Sequence, residues 1–155
     1  MKCYMLVGIP GSGKSTWIKQ NVPEGAVVLS TDAYVEAYAA EQGKSYDDVW
    51  ESYVKRATAL MERDLVSAVN AGVDIYWDQT NLTIKARANK LRKIPDTYEK
   101  IAVLFQMPSD HVLEHRLVMR PGKTIPEAVM AGMREGFESP LETEGFNEVT
   151  IARNP

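Results

Sequence analysis

Residues Gly8-Ile9-Pro10-Gly11-Ser12-Gly13-Lys14-Ser15 bring glycines, a lysine and a hydroxyl together within eight positions. In that order they match G-x-x-x-x-G-K-[ST], a pattern whose chemistry is the binding of phosphate. Gly11 and Gly13 let the backbone turn its N–H groups inward as an anion nest. A helix opening at that point adds unpaired N–H groups and a partial positive charge. Lys14 is then suited to reach the β- and γ-phosphates of a nucleotide, and the Ser15 hydroxyl to sit on Mg²⁺.

Other segments carry residue types that phosphoryl transfer uses. Asp32, in Ser30-Thr31-Asp32, can cap a helix or accept the proton of an attacking hydroxyl. Asp78, in Asp78-Gln79-Thr80-Asn81, can support Mg²⁺ or open a turn. Arg116 and Arg120 are four apart and share a helix face. Pro121-Gly122 then breaks that helix. The arginines can complement the helix dipole, or ride on a mobile lid that stabilises charge on a transferring phosphoryl group. His111-Val112-Leu113-Glu114-His115 fits the zinc pattern H-x-x-E-H. It holds the only histidines of the chain and falls on a helix that the phosphate-loop layout already accounts for.

The elements that must position these residues read as alternating strands and helices. Lys2–Val7 is an apolar run suited to a buried strand, and Thr16–Gln20 continues as a helix. A second strand is expected over Ala26–Ser30, and a helix from Asp32 to Gln42 closed by Gly43. Ser45 with Asp48 resembles a capping box for a long helix over 46–71, ended by Gly72. Val73–Trp77 is a third strand. Thr83 caps a basic helix that stops before Pro95. Lys100–Gln106 is a fourth strand, and Ser109 caps a helix to Met119. Pro126 suits the first position of a helix reaching Phe137, and Glu148–Ala152 is a final strand. Strands interleaved with helices in this way predict an α/β fold. Its five-stranded, mostly parallel sheet has right-handed crossovers and helices on both faces. Ligands of such sheets bind beyond the carboxyl ends of the strands, where the loop, Asp32 and Asp78 all fall.

The 155 residues suit one domain over 1–155. No stretch approaches a membrane span, and no signal-peptide pattern opens the sequence. One cysteine, Cys3, can form no internal disulfide; a cytoplasmic setting is the simplest expectation. The net charge is −3, yet nine basic residues face four acids between Leu82 and Lys123. That imbalance is open to two readings, a basic face toward nucleic acid or a solvated helix surface.

With those pieces in order, the chain resembles the polynucleotide-kinase-like group of small phosphate-loop kinases, which includes phage polynucleotide kinases and zeta toxins. The resemblance rests on the loop with Thr16-Trp17 after it, on Thr31-Asp32-Ala33-Tyr34, on Asp78-Gln79-Thr80-Asn81-Leu82 and on Arg116 with Arg120. Ile125-Pro126, Pro140 and Glu144–Val149 extend it. The sequence departs at Val35, where the phage enzyme has an arginine, and at Gln79, which separates Asp78 from Thr80-Asn81.

The resemblance implies a P-loop NTPase fold with an arginine-bearing, adenylate-kinase-like lid. It implies ATP and Mg²⁺ as cofactors and a hydroxyl as phosphate acceptor. The nucleotide side would be Gly11, Ser12, Gly13, Lys14, Ser15, Thr16 and Arg116, and the metal side Ser15 and Asp78. Lys14, Asp32 and Arg120 would be catalytic, with Asp32 the general base. Asp32, Asp78, Thr80, Asn81 and Arg87 would meet the acceptor. The leading acceptor is a polynucleotide 5′-hydroxyl, so nucleic acid is the expected partner. Hydroxymethylated pyrimidines in DNA and small molecules (nucleosides, nucleotides or sugars) are the alternatives. No membrane contact or obligate protein partner is expected.

Overall fold

The computed structural model describes residues 1–153. Its strands are β1 (Lys2–Val7), β2 (Val27–Leu29), β3 (Ile75–Trp77), β4 (Glu99–Leu104) and β5 (Glu148–Ile151). They form one sheet in the order β2-β3-β1-β4-β5, and every pairing is parallel. The expected sheet is present, and the qualifier "mostly" is unnecessary. β2 loses one residue at each end of its apolar run, and β3 starts two residues later than its run, with ladder pairing from Ile75.

β1 lies between β3 and β4, so both its edges are hydrogen-bonded. Its residues alternate between two apolar layers, as the two-residue strand period requires. Cys3 and Met5 pack with Met61, Leu65 and Ala68 on one face. Leu6 packs with Val103 and Phe105 on the other, against Tyr4, Trp17 and Ile18. Burial pushes the Cys3 thiol up to about 12, as befits a small core residue.

Ser45, Thr83 and Ser109 cap helices as expected, whereas Ser30 rather than Asp32 caps the helix after β2. α1 spans Lys14–Asn21, α2 Thr31–Gln42, α3 Tyr46–Ala71, α4 Ile84–Leu91, α5 Asp110–Val118 and α6 Glu127–Glu135. Ser30, Ser45, Thr83 and Ser109 each accept a bond from a backbone N–H of the first turn. Ser45 and Asp48 form the reciprocal capping box. Pro126 is the cap of α6, one position earlier than expected, and the helix stops two residues before Phe137. No described helix is long and apolar enough to cross a membrane.

A buried ionic clamp ties α4 to the segment before β5. Arg87 has no exposed side-chain surface. Its Nε donates to Glu144 Oε1 at 2.8 Å and its Nη2 to Glu144 Oε2 at 3.1 Å. Its Nη1 donates to the Asn81 carbonyl at 2.9 Å. A paired, fully bonded guanidinium tolerates burial; the partner left alone does not. Arg87→Ala is therefore expected to lower the unfolding free energy by about 3–5 kcal/mol, measured by urea denaturation. Replacing Arg87 and Glu144 together with Met and Leu should recover much of that loss. A single-variant effect below about 1 kcal/mol would show that the clamp contributes little.

Candidate active site

The phosphate-type loop runs from the end of β1 to the start of α1. Gly11 (φ 82°) and Gly13 (φ 103°) both adopt left-handed backbone. A side chain at Gly11 would also meet Leu113 Cδ1 at 2.8 Å, so α5 packs directly against the loop. Gly13 caps α1 with no side-chain bond, leaving the first-turn N–H groups without a side-chain cap. Ser12 is buried within the loop, whereas Ser15 and Thr16 are exposed at the start of the helix. Lys14 Nζ donates to the carbonyls of Gly8 at 2.7 Å and Ile9 at 2.9 Å. Burial drives its ammonium down to about 8, against the opposing pull of Asp78 and Asp32.

Asp32 lies in the first turn of α2. Its Oδ1 accepts from the Tyr46 hydroxyl at 2.7 Å and its Oδ2 from Lys123 Nζ at 3.0 Å. Burial pushes the carboxyl up, but Tyr46, Lys123 and Arg120 together hold it below its ordinary value. Asp78 moves the other way: burial raises it, Lys14 opposes and the charge of Asp32 adds to the rise. A carboxylate whose charge is under-compensated is the kind of oxygen donor that suits a hard cation. Gln79 links the two acidic segments. It accepts from Trp77 Nε1 at 3.0 Å and donates to Thr31 Oγ1 at 2.9 Å.

The segment after α5 supplies the cations. Arg120 lies within electrostatic reach of Lys14, Asp32 and Tyr46. Its Nη1 is buried without a hydrogen-bond partner. Such an atom carries a desolvation cost that an anion would remove. Arg116 is exposed, and its Nη1 donates to the Gly11 carbonyl at 2.9 Å. A cleft of about 460 Å³ lies beside this cluster, with Glu36, Lys44, Tyr46, Arg120 and Lys123 among its lining residues.

Lys14, Asp32, Asp78 and Arg120 thus converge, with Arg116 at the loop. Thr80 is half-buried, and its carbonyl accepts from Gly8 N at 3.0 Å, binding the β3 loop to the phosphate loop. Asn81 and Arg87 do not join the acceptor side. Asn81 is buried and donates to the Leu6 carbonyl at 2.7 Å while its Oδ1 accepts from Lys90. Arg87 belongs to the clamp with Glu144. Both are residues that hold the β3 loop in place.

Three of the five cations of segment 85–93 are engaged within the protein, while Lys85 and Arg92 are exposed. Besides Arg87, Lys90 is drawn onto Asn81 and the Trp77 ring, and Lys93 pairs with Glu62 at 2.6 Å. Among the described residues no cluster of histidines, cysteines or acids could hold a metal, so H-x-x-E-H forms no such site. Sequence reasoning missed Tyr46 and Glu36, whose proximity to Asp32 and Lys123 is set by the packing of α2, α3 and the lid segment.

A family model described as "AAA domain" matches residues 4–140. The chain belongs to that family, and its domain is a kinase-like P-loop domain. Heterogeneous nuclear ribonucleoprotein U-like protein 2 of Homo sapiens is 24% identical over 156 residues. That match covers 94% of this chain but only 21% of the relative's length. A chain of the PezAT chromosomal toxin–antitoxin system of Streptococcus pneumoniae superposes with a TM-score of 0.68 at 19% identity. It covers 97% of this chain and 66% of that one. A chain of the Pnkp1/Rnl/Hen1 RNA repair complex gives 0.63 at 21% identity, covering 88% of this chain and 46% of that one. These likenesses establish the P-loop NTPase fold, which implies a nucleotide bound with a metal.

The bond from Tyr46 to Asp32 has a measurable consequence. Asp32 titrates below its unfolded value of 3.8, so the stability linked to it is full above that value and is lost as pH falls through the folded value. Tyr46→Phe removes one of the causes. At pH 7 it is expected to cost about 1 kcal/mol, toward the low end for a charged bond because the carboxylate is half exposed. Urea unfolding at pH 7 and at pH 3 checks this: the difference between the two proteins should shrink at the lower pH. An equal difference at both would mean that Tyr46 acts by packing alone.

Proposed function

We propose that this chain is an ATP-dependent phosphotransferase that moves the γ-phosphate to a hydroxyl. The observation that carries the reading is the unpartnered, buried Nη1 of Arg120 beside Lys14 and Asp32. An orphaned guanidinium atom next to a phosphate-type loop fits an anionic group that arrives with the substrate. Gly11, Ser12, Gly13, Lys14, Ser15, Thr16 and Arg116 form the nucleotide side. Ser15 and Asp78 would hold Mg²⁺, which supplies charge neutralisation at the phosphate oxygens. Asp32 takes the proton of the acceptor hydroxyl. Arg120 stabilises charge on the equatorial oxygens as the phosphoryl group passes.

The first acceptor reading is the 5′-hydroxyl of a polynucleotide. It is supported by the D-x-T-N-L-type segment around Asp78 and by the fold shared with a chain of an RNA repair complex. A small-molecule acceptor is the second reading. The cleft of about 460 Å³, lined by the Asp32 partners Tyr46 and Lys123, falls in the range of small-molecule sites, and much of the basic segment is paired internally. Incubation with γ-labelled ATP and a panel of DNA, RNA, hydroxymethylated DNA, nucleosides and sugars separates them. Steep salt dependence of acceptor binding marks the polymer.

Two variants test the roles. Asp32→Asn is expected to cut turnover by about 10²–10⁴ with little change in ATP affinity. Arg120→Ala is expected to lower kcat far more than nucleotide affinity, because its contact strengthens as charge spreads. Lysine should rescue it only partly, lacking the planar fork. Steady-state kinetics beside calorimetric ATP binding give the answer. Unchanged turnover in Asp32→Asn would remove it as the base; a loss confined to ATP binding would make Arg120 a docking residue.

A further inference from the structure

Lys123 has more partners than a lid cation awaiting phosphate would need. Its side chain is 11% exposed, and its Nζ lies 3.0 Å from Asp32 Oδ2 and 3.1 Å from Glu36 Oε1. The same ammonium sits 4.4 Å above the centre of the Tyr46 ring. Since Tyr46 donates to Asp32 Oδ1, each oxygen of that carboxylate already accepts a bond. A carboxylate held in this way is a poor acceptor for the proton of an incoming hydroxyl.

The segment bearing Lys123 is docked onto the start of α3. Asp47 N donates to the Gly122 carbonyl at 3.0 Å. Thr124 N and Oγ1 both donate to Asp47 Oδ2, at 2.9 and 2.6 Å. Gly122 approaches so closely that a Cβ there would lie 2.7 Å from Ser45 Cβ. The segment therefore carries two cations in opposite conditions. Arg120 has a buried nitrogen without a partner, while Lys123 is fully engaged on acids. Only Pro121 and Gly122 separate them.

We propose that Lys123 is a gate on Asp32, holding the carboxylate paired while the segment is docked and releasing it when a nucleoside triphosphate draws the segment's cations toward its phosphates. The gate rests on the reading of Asp32 as the base. An anion that bonds Arg120 Nη1 removes that atom's desolvation cost, and any movement of Arg120 is transmitted through two residues to Lys123. The acceptor hydroxyl then takes the place of the ammonium at Oδ2. In this way the base becomes available only after the phosphoryl donor is bound. Lys123 acts through Asp32 and is a positioning residue.

The experiment compares wild type, Lys123→Met and Lys123→Arg by hydrogen exchange at the Asp47 and Thr124 amides, and by hydrolysis of Mg·ATP without acceptor. In wild type, Mg·ATP is expected to speed exchange at both amides. Lys123→Met should exchange faster already without nucleotide, by about fivefold, the effect of losing a modest ion pair. Mg·ATP should then speed its exchange little further, because the gate is already open, and Lys123→Arg should restore the wild-type response. Thr124→Val loosens the same docking without touching Asp32, and should speed exchange at Asp47.

Wild-type exchange in Lys123→Met, with the wild-type response to Mg·ATP, would overturn the gate. So would a large loss of hydrolysis with unchanged exchange, which would make Lys123 a direct phosphate ligand. Asp32→Asn separates the two layers. If it keeps full transfer, the base assignment fails; if it loses transfer while Lys123→Met behaves as wild type, only the gate fails.

Discussion

Half-buried charge at the carboxyl edge of the sheet has to be balanced, and most of the site follows from how this chain balances it. Lys14, Arg120 and Lys123 stand against Asp32, Asp78 and Glu36 in one electrostatic neighbourhood. The balance is uneven from residue to residue. Lys14 is driven down and Asp78 up by burial, while Asp32 is held low by its donors. Arg120 keeps a nitrogen with no partner. Such imbalances cost stability, and sites that bind charged substrates are where they gather. A triphosphate with its cation would relieve each of them: an anion for Lys14 and Arg120, a cation for Asp78.

The frame around this cluster is stiff because its loops are bonded to strands. Gly8 N reaches the Thr80 carbonyl, and Asn81, at a positive φ of 50°, turns its amide onto the Leu6 carbonyl. The loop after β3 is thereby fastened to the end of β1, where the phosphate loop begins. Arg87 secures Asn81 from behind and is itself fixed by Glu144. The D-x-T-N-L-type segment thus serves position as much as chemistry. Its aspartate faces the site, and its asparagine sets where that aspartate stands.

Local signals made most of this legible from sequence. Glycine spacing, the three helix caps Ser45, Thr83 and Ser109 and apolar strand runs each depend on neighbours within a few positions, and each matches the structure. The long-range partners left no such trace. Arg87 lies in a basic stretch that reads equally as a solvated face, and its carboxylate partner is 57 residues away. Tyr46 is 14 residues from Asp32 and Lys123 is 91 residues from it. An aromatic at a helix start reads as core, and a lysine after Pro-Gly reads as lid surface. Only the packing of α2, α3 and the segment after α5 gives either a role.

Gln79 shows how a departure in sequence becomes a structural tie. Its amide spans from Trp77 to Thr31. Thr31 Oγ1 in turn reaches Met61 Sδ in α3 at 3.5 Å. The end of β3, the start of α2 and the middle of α3 are thus joined by one chain of side-chain bonds. Asp78 and Asp32 sit at the two ends of the Gln79–Thr31 link, so their separation is fixed by it. That separation is small enough for the charge of Asp32 to raise Asp78, yet each acid keeps its own surroundings. Neighbouring carboxyls driven in opposite directions are a recurrent means of giving two like residues different tasks. Here the lowered one is bonded by a phenol and an ammonium, and the raised one faces the phosphate-loop lysine. The contrast between the two carboxyls is therefore built into the backbone positions that Gln79 holds together.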